Sequence, residues 1–263
     1  MAMESVTAFL MYHELELPGR ELCLPDPGYR RYVLAAADFE RQMRHFKSVG
    51  YRGSSVGQAL AFSRPKQVAI TFDDGCETDL ITAAPILTEL GFGATFFVTA
   101  GFLGRRGSLN DAQLRELSAY GFEIGCHSMT HPYLPDLDSA GLQGEIVDPK
   151  RKLEDIIGHT VEHFSCPGGR YDSRVVEVVR QAGYRTMSTS HTRMNSAQTD
   201  LYSLGRIAVL RDTPTEQVAK IADGSGMWKM NFKQGVRDAA KNILGNRLYD
   251  RLRAGALGDR NSN

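Results

Sequence analysis

The sequence predicts an α/β fold, a distorted (β/α) barrel of mostly parallel strands with a basic amphipathic helical tail at the C-terminus. Short apolar runs alternate with longer amphipathic runs, the order expected for parallel strands joined by helices. Glycine follows many of the amphipathic runs, where a left-handed residue ends a helix. Polar residues cluster directly after several apolar runs, as the loops of a barrel active site require.

The elements follow from these runs in chain order. Apolar runs predict strands at Ala8–Tyr12, Gln67–Phe72, Ala94–Thr99, Glu123–Cys126, His163–Cys166, Arg185–Ser188 and Leu204–Leu210. Amphipathic runs predict helices at Ala37–Val49, Asp79–Leu90, Asp111–Tyr120, Asp138–Ile157 and Ser173–Ala182. Pro149 is expected to kink or split the fourth of these helices, because proline removes a hydrogen-bond donor. The barrel is assigned to residues 1–225 and the tail to 226–263.

Composition limits the class of protein. The 263 residues contain 31 Lys and Arg against 31 Asp and Glu. This balance argues against a general nucleic-acid binder, which needs a basic excess. The N-terminus has no basic segment followed by a long apolar run, so we expect no signal peptide and a cytoplasmic location. The basic amphipathic tail either packs on the barrel as a structural helix or contacts an anionic membrane or a partner.

The four cysteines are far apart in the sequence and form no Cys-x-x-Cys pair. They are Cys23, Cys76, Cys126 and Cys166. A domain of this size has no need of a disulfide framework. We interpret the cysteines as small apolar packing residues near strand ends.

Two adjacent carboxylates follow the second strand. Asp73 and Asp74 come directly after the apolar run Val68–Phe72 and precede Gly75. Neighbouring strand residues point to opposite sides, so one carboxylate can bind a cation while the other acts as a base. The alternative is an ordinary polar strand end in which an aspartate caps the next turn.

A histidine pair follows another strand. His127 and His131 are four residues apart, a spacing at which two imidazoles on one turn can share a metal. With one aspartate they make a two-histidine, one-carboxylate set that leaves positions open, as catalytic metal sites do. A histidine pair alone is more often structural.

The third polar cluster follows the predicted strand at His163–Cys166. Pro167, Gly168 and Gly169 form a tight turn, and Arg170 and Tyr171 come directly after it. Exposed N–H groups in such a turn could stabilise an oxyanion. Taken alone, this segment is an ordinary βα turn.

These three motifs, in this order, resemble the polysaccharide deacetylase superfamily (the NodB-homology domain, carbohydrate esterase family four). The motifs read TFDDG, HSMTHP and a Pro-Gly turn after an apolar strand, and the resemblance covers about Gln67 to Val209. It implies a distorted (β/α) barrel and a divalent metal, Zn²⁺ first, with Co²⁺ or Mn²⁺ as alternatives. It also implies an N-acetylated carbohydrate as substrate.

The resemblance also implies residue roles. Asp74, His127 and His131 would bind the metal, and Asp73 would be the general base. Thr71 and Ser128 would support them.

The sequence departs from the family pattern in two places. Many members have an arginine just before the proline of the third motif, where Ser165 and Cys166 stand here. Many also carry a late histidine that acts as the general acid. This chain has Arg206 at the matching position. We predict that Arg206 binds substrate together with residues 167–171. His191 is the first candidate for the missing acid. An equally good interpretation is that His191 is a solvent-exposed loop residue without a catalytic role. His13 is a weaker candidate.

The sequence therefore predicts a metal-dependent hydrolase that removes N-acetyl groups from sugars of a polysaccharide, oligosaccharide or lipid-linked glycan. Surface or exopolysaccharide synthesis is the expected setting. Two alternatives stay open: an amidohydrolase acting on a small non-sugar amide, and a glycan-binding protein with impaired catalysis.

Overall fold

An eight-stranded, wholly parallel sheet forms the centre of the computed structural model, which describes residues 6–24, 27–62 and 64–225. The strands of the sheet are β1 (Ala8–Tyr12), β4 (Arg52–Ser54), β5 (Gln67–Phe72), β6 (Thr95–Val98), β7 (Glu123–Cys126), β8 (His163–Ser165), β9 (Thr186–Ser188) and β10 (Ile207–Ala208). Their order is β10-β1-β5-β6-β7-β8-β9, with β4 also pairing with β5. β2 (Leu15–Glu16) and β3 (Leu34–Ala35) form a separate small pair.

The segment just before and within β10 links the two ends of the sheet. Leu204 forms a parallel bridge with Ser188 at the end of β9. Three residues later, Ile207 pairs with Leu10 of β1. One stretch of chain therefore pairs with both β9 and β1, and this curls the sheet into a distorted barrel. The predicted fold class is confirmed.

Helices cover the outside of the sheet. They are α1 (Pro27–Arg30), α2 (Ala36–Ser48), α3 (Val56–Ala61), α4 (Ala84–Leu90), α5 (Asp111–Ala119), α6 (Ser139–Ile157), α7 (Ser173–Gln181) and α8 (Thr215–Ala222). Their ends carry the expected signals. Asn110 caps α5 through a reciprocal capping box with Gln113, and Gly158 ends α6 in the left-handed conformation.

Three predicted elements need correction. α6 runs unbroken through Pro149, whose missing N–H costs the helix one hydrogen bond without ending it. The predicted helix Asp79–Leu90 begins as a π-helix, Asp79–Ala83, and becomes α-helical only at Ala84. The predicted strand Leu204–Leu210 has strand geometry only at Ile207–Ala208, because its other residues cross between the two edges of the sheet.

Some elements lack a recognisable sequence pattern. β4 reads Arg-Gly-Ser, with no apolar alternation, yet it pairs with β5.

The predicted tail at 226–263 lies outside the described residues, so its helix and the boundary at 225 stay predictions. Within the described part of the chain, no helix is long and apolar enough to cross a membrane.

The core lies on the sheet and positions its carboxyl edge. Every residue of β5 is buried, and the rings of Tyr12, Phe72 and Phe96 stack across β1, β5 and β6 at 5.0–5.4 Å. These aromatic contacts fix the ends of three neighbouring strands. The polar motifs begin at those ends.

Candidate metal and catalytic site

Asp73 and Asp74, which follow β5 directly, differ in backbone conformation. The N–H of Asp73 donates to the carbonyl of Tyr12 at 3.0 Å, which extends the β1–β5 pairing by one residue. Asp74 has φ of 81°, in the left-handed region, so the chain turns sharply there. A non-glycine residue in this region costs about 1–3 kcal/mol, and such strain is concentrated at functional sites. The turn explains how adjacent carboxylates come to have different neighbours.

The two histidines lie on a loop, not on the helical turn that their spacing suggests. Ser128 and His131 both have left-handed φ values, 67° and 63°. Glu145, from α6, accepts hydrogen bonds from the N–H groups of Met129 and Thr130 at 2.9 and 2.8 Å. Glu145 therefore holds the loop between the two histidines in shape.

Asp74, His127 and His131 converge. Oδ1 of Asp74 lies 3.7 Å from Nε2 of His127 and 3.7 Å from Nε2 of His131. One ligand atom from each of the three residues lies within 4.8 Å of the others. Asp74 and His127 are buried, while the His131 side chain is 35% exposed. One side of the cluster is thus open to solvent.

The environment of His127 favours metal binding. Its Nδ1 lies 2.8 Å from the carbonyl oxygen of Ser165, to which a proton on Nδ1 can donate. That bond leaves Nε2 as the electron-pair donor facing Asp74. Burial lowers the pKa of His127 to about 4, although Asp73 and Asp74 act in the opposite direction. The imidazole is therefore neutral near pH 7, the form that binds metals.

The donor set fits a divalent metal of the zinc type. Two imidazole nitrogens and one carboxylate oxygen form the usual ligands of catalytic zinc. Ligand atoms bound tetrahedrally to one zinc lie about 3.3 Å apart, close to the 3.7 Å separations here. The described chain can thus hold a metal at this edge of the sheet.

Asp73 forms a buried bidentate pair with Arg206. Nη1 and Nη2 of Arg206 donate to the two carboxylate oxygens at 2.6 and 2.8 Å. The remaining donors reach Ser165 Oγ at 2.7 Å, Thr71 Oγ1 at 3.3 Å and the Thr189 carbonyl at 3.1 Å. Arg206 is 1% exposed, and all five of its N–H groups have acceptors. This placement favours a role in orienting Asp73 over the predicted role in binding substrate.

The charges around Asp73 keep it ionised. Burial alone would raise its pKa, but the Arg206 guanidinium, followed by His127, holds the pKa below the usual range. Asp73 also lies near the metal-binding group, with 3.7 Å between its Oδ2 and Nε2 of His127. A carboxylate that stays charged beside a metal site can accept a proton.

The Pro-Gly turn forms part of the rim. Gly168 and Gly169 both have left-handed φ values, and a Cβ on Gly169 would lie 1.9 Å from Ser190 Oγ. Only glycine fits there. The Arg170 guanidinium stacks over the Tyr133 ring at 3.7 Å. The Tyr171 hydroxyl lies 2.8 Å from the Ser203 hydroxyl.

The two candidate acids occupy different places. His191 is exposed, and its ring lies 5.8 Å from the ring of Tyr171 on the rim. His13 follows β1 and is largely enclosed, with its ring 4.7 Å from that of Tyr32. Burial lowers the pKa of His13, while the negative charges of Asp74 and Asp73 oppose the shift. Its Nδ1 has no hydrogen-bond partner among the described residues.

Comparison with known proteins identifies a family that is related to the central part of the chain. Residues 63–187 match the family model described as polysaccharide deacetylase. This part of the chain is a polysaccharide deacetylase domain. Its enzyme class is that of the carbohydrate deacetylases, which are hydrolases. The predicted resemblance is therefore confirmed.

Individual relatives of this deacetylase superfamily cover the chain to different extents. YxkH of Bacillus subtilis, which bears the family's name, is 27% identical over 76% of this chain and 70% of its own length. A chitooligosaccharide deacetylase of Azorhizobium caulinodans is 32% identical over 52% of this chain and 65% of its own length. The Streptococcus pyogenes deacetylase PplD, solved with acetate, superposes with a TM-score of 0.73 at 24% identity. That comparison covers 84% of this chain and 99% of PplD, and it supports the fold.

Sequence reasoning missed how this deacetylase compensates for its departures from the family pattern. The pattern provides an arginine before the proline of the third motif, and this chain has Ser165 and Cys166 there. Arg206, the residue before β10, instead donates to the Asp73 carboxylate, and Ser165 accepts one of its hydrogen bonds. The sequence did contain a signal for this pairing: no arginine precedes Pro167, and an arginine stands at position 206 in place of the late histidine. Glu145 gave no comparable signal, because its role depends on the packing of α6.

Proposed function

We propose that this protein is a metal-dependent deacetylase that hydrolyses the N-acetyl groups of sugar residues in a glycan. The observation that carries the proposal is the pairing of two neighbouring carboxylates with separate partners. Asp74 faces His127 and His131, whereas Asp73 is held by Arg206. This division provides one ligand and one base from a single strand end.

Zn²⁺ is the proposed metal, held by Asp74, His127 and His131, with Co²⁺ or Mn²⁺ as replacements. When bound, such an ion polarises an amide carbonyl and lowers the pKa of a coordinated water. Asp73 accepts a proton from the attacking water, because its carboxylate is ionised and lies beside the metal ligands. Arg206 keeps that carboxylate in one orientation.

The backbone N–H of Tyr171, which follows the Pro-Gly turn, would stabilise the oxyanion. The N–H of Gly169 instead donates to the carbonyl of Cys166 at 2.9 Å and fixes the turn before substrate arrives. The departing amine needs a proton. We assign His13 as the first candidate donor, since it is enclosed near both carboxylates, and His191 as the second.

The rim supports a sugar substrate. Tyr133, Arg170 and Tyr171 lie on or beside the Pro-Gly turn, and Arg170 covers the face of the Tyr133 ring. Aromatic and planar groups at the edge of an open site suit the apolar faces of sugar rings. The named relative from Azorhizobium caulinodans acts on chitooligosaccharides, which supports an N-acetylglucosamine-type residue here.

Acetate release from N-acetylated oligosaccharides tests this proposal. The chelated protein and protein restored with zinc, cobalt or manganese would be compared on chitooligosaccharides and on peptidoglycan-type sugars. We expect release only after metal is restored, and no release from the Asp74→Ala variant. Equal release by chelated and restored protein would overturn metal dependence. Stoichiometric metal without release from any glycan would overturn the carbohydrate substrate.

A further inference from the structure

A second cluster of metal-binding groups lies beside the catalytic edge. Glu14 follows β1 by two residues, Cys23 lies on the loop after β2, and Cys76 follows Asp74 by two residues. One ligand atom from each of Glu14, Cys23 and Cys76 lies within 4.8 Å of the other two. Glu14 and Cys76 are buried and Cys23 is half-buried. The cluster uses none of the residues assigned to deacetylation.

Asp79 provides an independent sign that a cation belongs there. Its side chain is fully buried at the start of the π-helix, and neither carboxylate oxygen has a hydrogen-bond partner among the described residues. Its backbone N–H donates to the carbonyl of Cys76 at 3.0 Å, so its backbone lies beside one member of the cluster. Burial and then the acidic groups of Cys23, Asp74 and Glu14 raise its pKa. A buried carboxylate without partners is costly unless a proton or a cation neutralises it.

We infer that Glu14, Cys23 and Cys76 bind a second divalent cation of the zinc class, whose charge also offsets that of the buried Asp79 carboxylate. Thiolate and carboxylate are ordinary zinc ligands, and a largely buried set of this kind is structural. The carboxylate of Glu14 is already oriented, because the N–H of Cys23 donates to both of its oxygens at 3.0 and 3.1 Å. Each oxygen keeps a lone pair for a metal.

The sulfur positions favour a metal over a disulfide. The Sγ atoms of Cys23 and Cys76 lie 3.1 Å apart. Two thiolates on one zinc lie about 3.8 Å apart, so the sulfurs would separate by about 0.7 Å. A disulfide at about 2.05 Å would require them to approach by about 1 Å, and would leave Glu14 and Asp79 without a cation. The Tyr29 hydroxyl, 3.4 and 3.3 Å from the two sulfurs, can donate to a metal-bound thiolate.

The second site would brace the catalytic one. Its ligands join the segment between Glu14 and Cys23 to the chain just beyond Asp74. Asp74 has a strained backbone, and a metal bound two residues away at Cys76 would hold that turn in place. The inferred cation is thus structural, and it does not depend on the deacetylase proposal.

Cobalt titration of the full, reduced, metal-stripped protein tests the inference. Thiolate ligands give cobalt a near-ultraviolet charge-transfer absorption that histidine and carboxylate ligands do not give. We expect two cobalt ions per chain, one of them producing this absorption. The Cys23→Ser variant should bind one cobalt without the absorption, whereas Cys166→Ala, which removes a buried cysteine outside the cluster, should keep both properties.

The Asp74→Ala variant separates this inference from the proposed function. It should lose one cobalt and keep the thiolate absorption. Absence of the absorption in wild-type protein saturated with cobalt would overturn the inference, whatever the folding of the variants. Thiol counting on unfolded, non-reduced protein provides a second check, since two missing thiols restored by reductant would mean a Cys23–Cys76 disulfide in place of the metal.

Discussion

Two acidic networks lie at opposite ends of the barrel, and only one has the features of a reactive site. At the carboxyl edge, Asp73 pairs with Arg206 beside Asp74 and two histidines. At the amino end of β7, Glu123 has its own histidine, with Nε2 of His163 lying 3.4 Å from Oε2. Both networks place a carboxylate, a hydrogen-bonded hydroxyl and an imidazole together.

The two networks differ in whether they leave room for a ligand. Glu123 accepts hydrogen bonds from Ser55, the N–H of Gly57 and Thr95, and a Cβ on Gly57 would lie 2.4 Å from its Oε2. No room is left there for a ligand. At the carboxyl edge, the Nε2 atoms of His127 and His131 face Asp74 with a side exposed to solvent. Buried charge alone is therefore a poor sign of function, whereas converging ligand atoms with open positions are a good one.

Replacing Arg206 should have the largest effect of the variants that separate the two networks. Arg206→Met would leave Asp73 buried without its partner, so we expect a loss of about 3–5 kcal/mol in the free energy of unfolding. The rate should fall about a thousandfold as the base loses its orientation. Arg206→Lys, which keeps the charge, should recover part of both losses.

The pH profile of kcat/KM distinguishes orientation from simple instability. Arg206 lowers the pKa of Asp73, so the acidic limb of the wild-type profile lies at low pH. Loss of the guanidinium should move that limb to higher pH, because Asp73 must be ionised to act as a base. An unmoved limb in Arg206→Met would contradict the assigned pairing.

The two histidine candidates should differ by a smaller amount. His13→Ala should lower kcat about a hundredfold, as expected when a proton donor is removed. His191→Ala, at the exposed rim, should leave kcat nearly unchanged and raise KM. The reverse ranking in steady-state kinetics would assign the proton donor to His191.

Glu123→Gln should affect stability and spare catalysis. The amide places an N–H₂ group among donors, which should cost about 2 kcal/mol in urea unfolding at pH 7. Glu116→Gln, at an exposed position of α5, is the matched control and should change stability by less than about 0.5 kcal/mol. Reduced turnover per folded molecule in Glu123→Gln would mean that the amino-end network contributes to catalysis.

Lowering the pH should remove the stability that Glu123 provides relative to the Glu123→Gln variant. Burial acts to raise its pKa, but His163, Thr95 and Gly57 together hold the pKa below the ordinary value of 4.5. A lowered pKa stabilises the folded state above that ordinary value, and the gain is lost as the pH falls through the folded-state pKa. The stability difference between wild type and Glu123→Gln should therefore shrink below about pH 4.5. A constant difference across urea titrations would contradict this assignment.

The sequence predicted the elements that carry their own pattern. β1, β5 and β7 begin and end at the predicted residues, because a largely buried strand is built mostly from apolar residues. β4 was missed since its three residues are held by pairing with β5 and by no pattern of their own. Pro149 was expected to kink or split α6, but the helix is not split, because packing of its buried face outweighs one lost hydrogen bond.

The site residues also divide into those that a sequence motif predicted and those that depend on tertiary contacts. Asp73, Asp74, His127 and His131 were found from motifs because each follows a strand whose end is fixed by its own sequence. The Asp73–Arg206 pair could not be read from the sequence, since it joins residues 133 positions apart. It depends on how the segment around Leu204 closes the sheet.

The measurement that tests the central claim most directly compares Asp73→Asn with Asp74→Asn for bound zinc and for acetate release. Both changes are isosteric and remove one negative charge from the same turn. The division of roles predicts that Asp73→Asn keeps stoichiometric zinc and loses turnover about a thousandfold, whereas Asp74→Asn loses the zinc of this site and the activity together. Loss of zinc in both variants, or retained turnover in Asp73→Asn, would contradict the assignment of one carboxylate to the metal and the other to the proton.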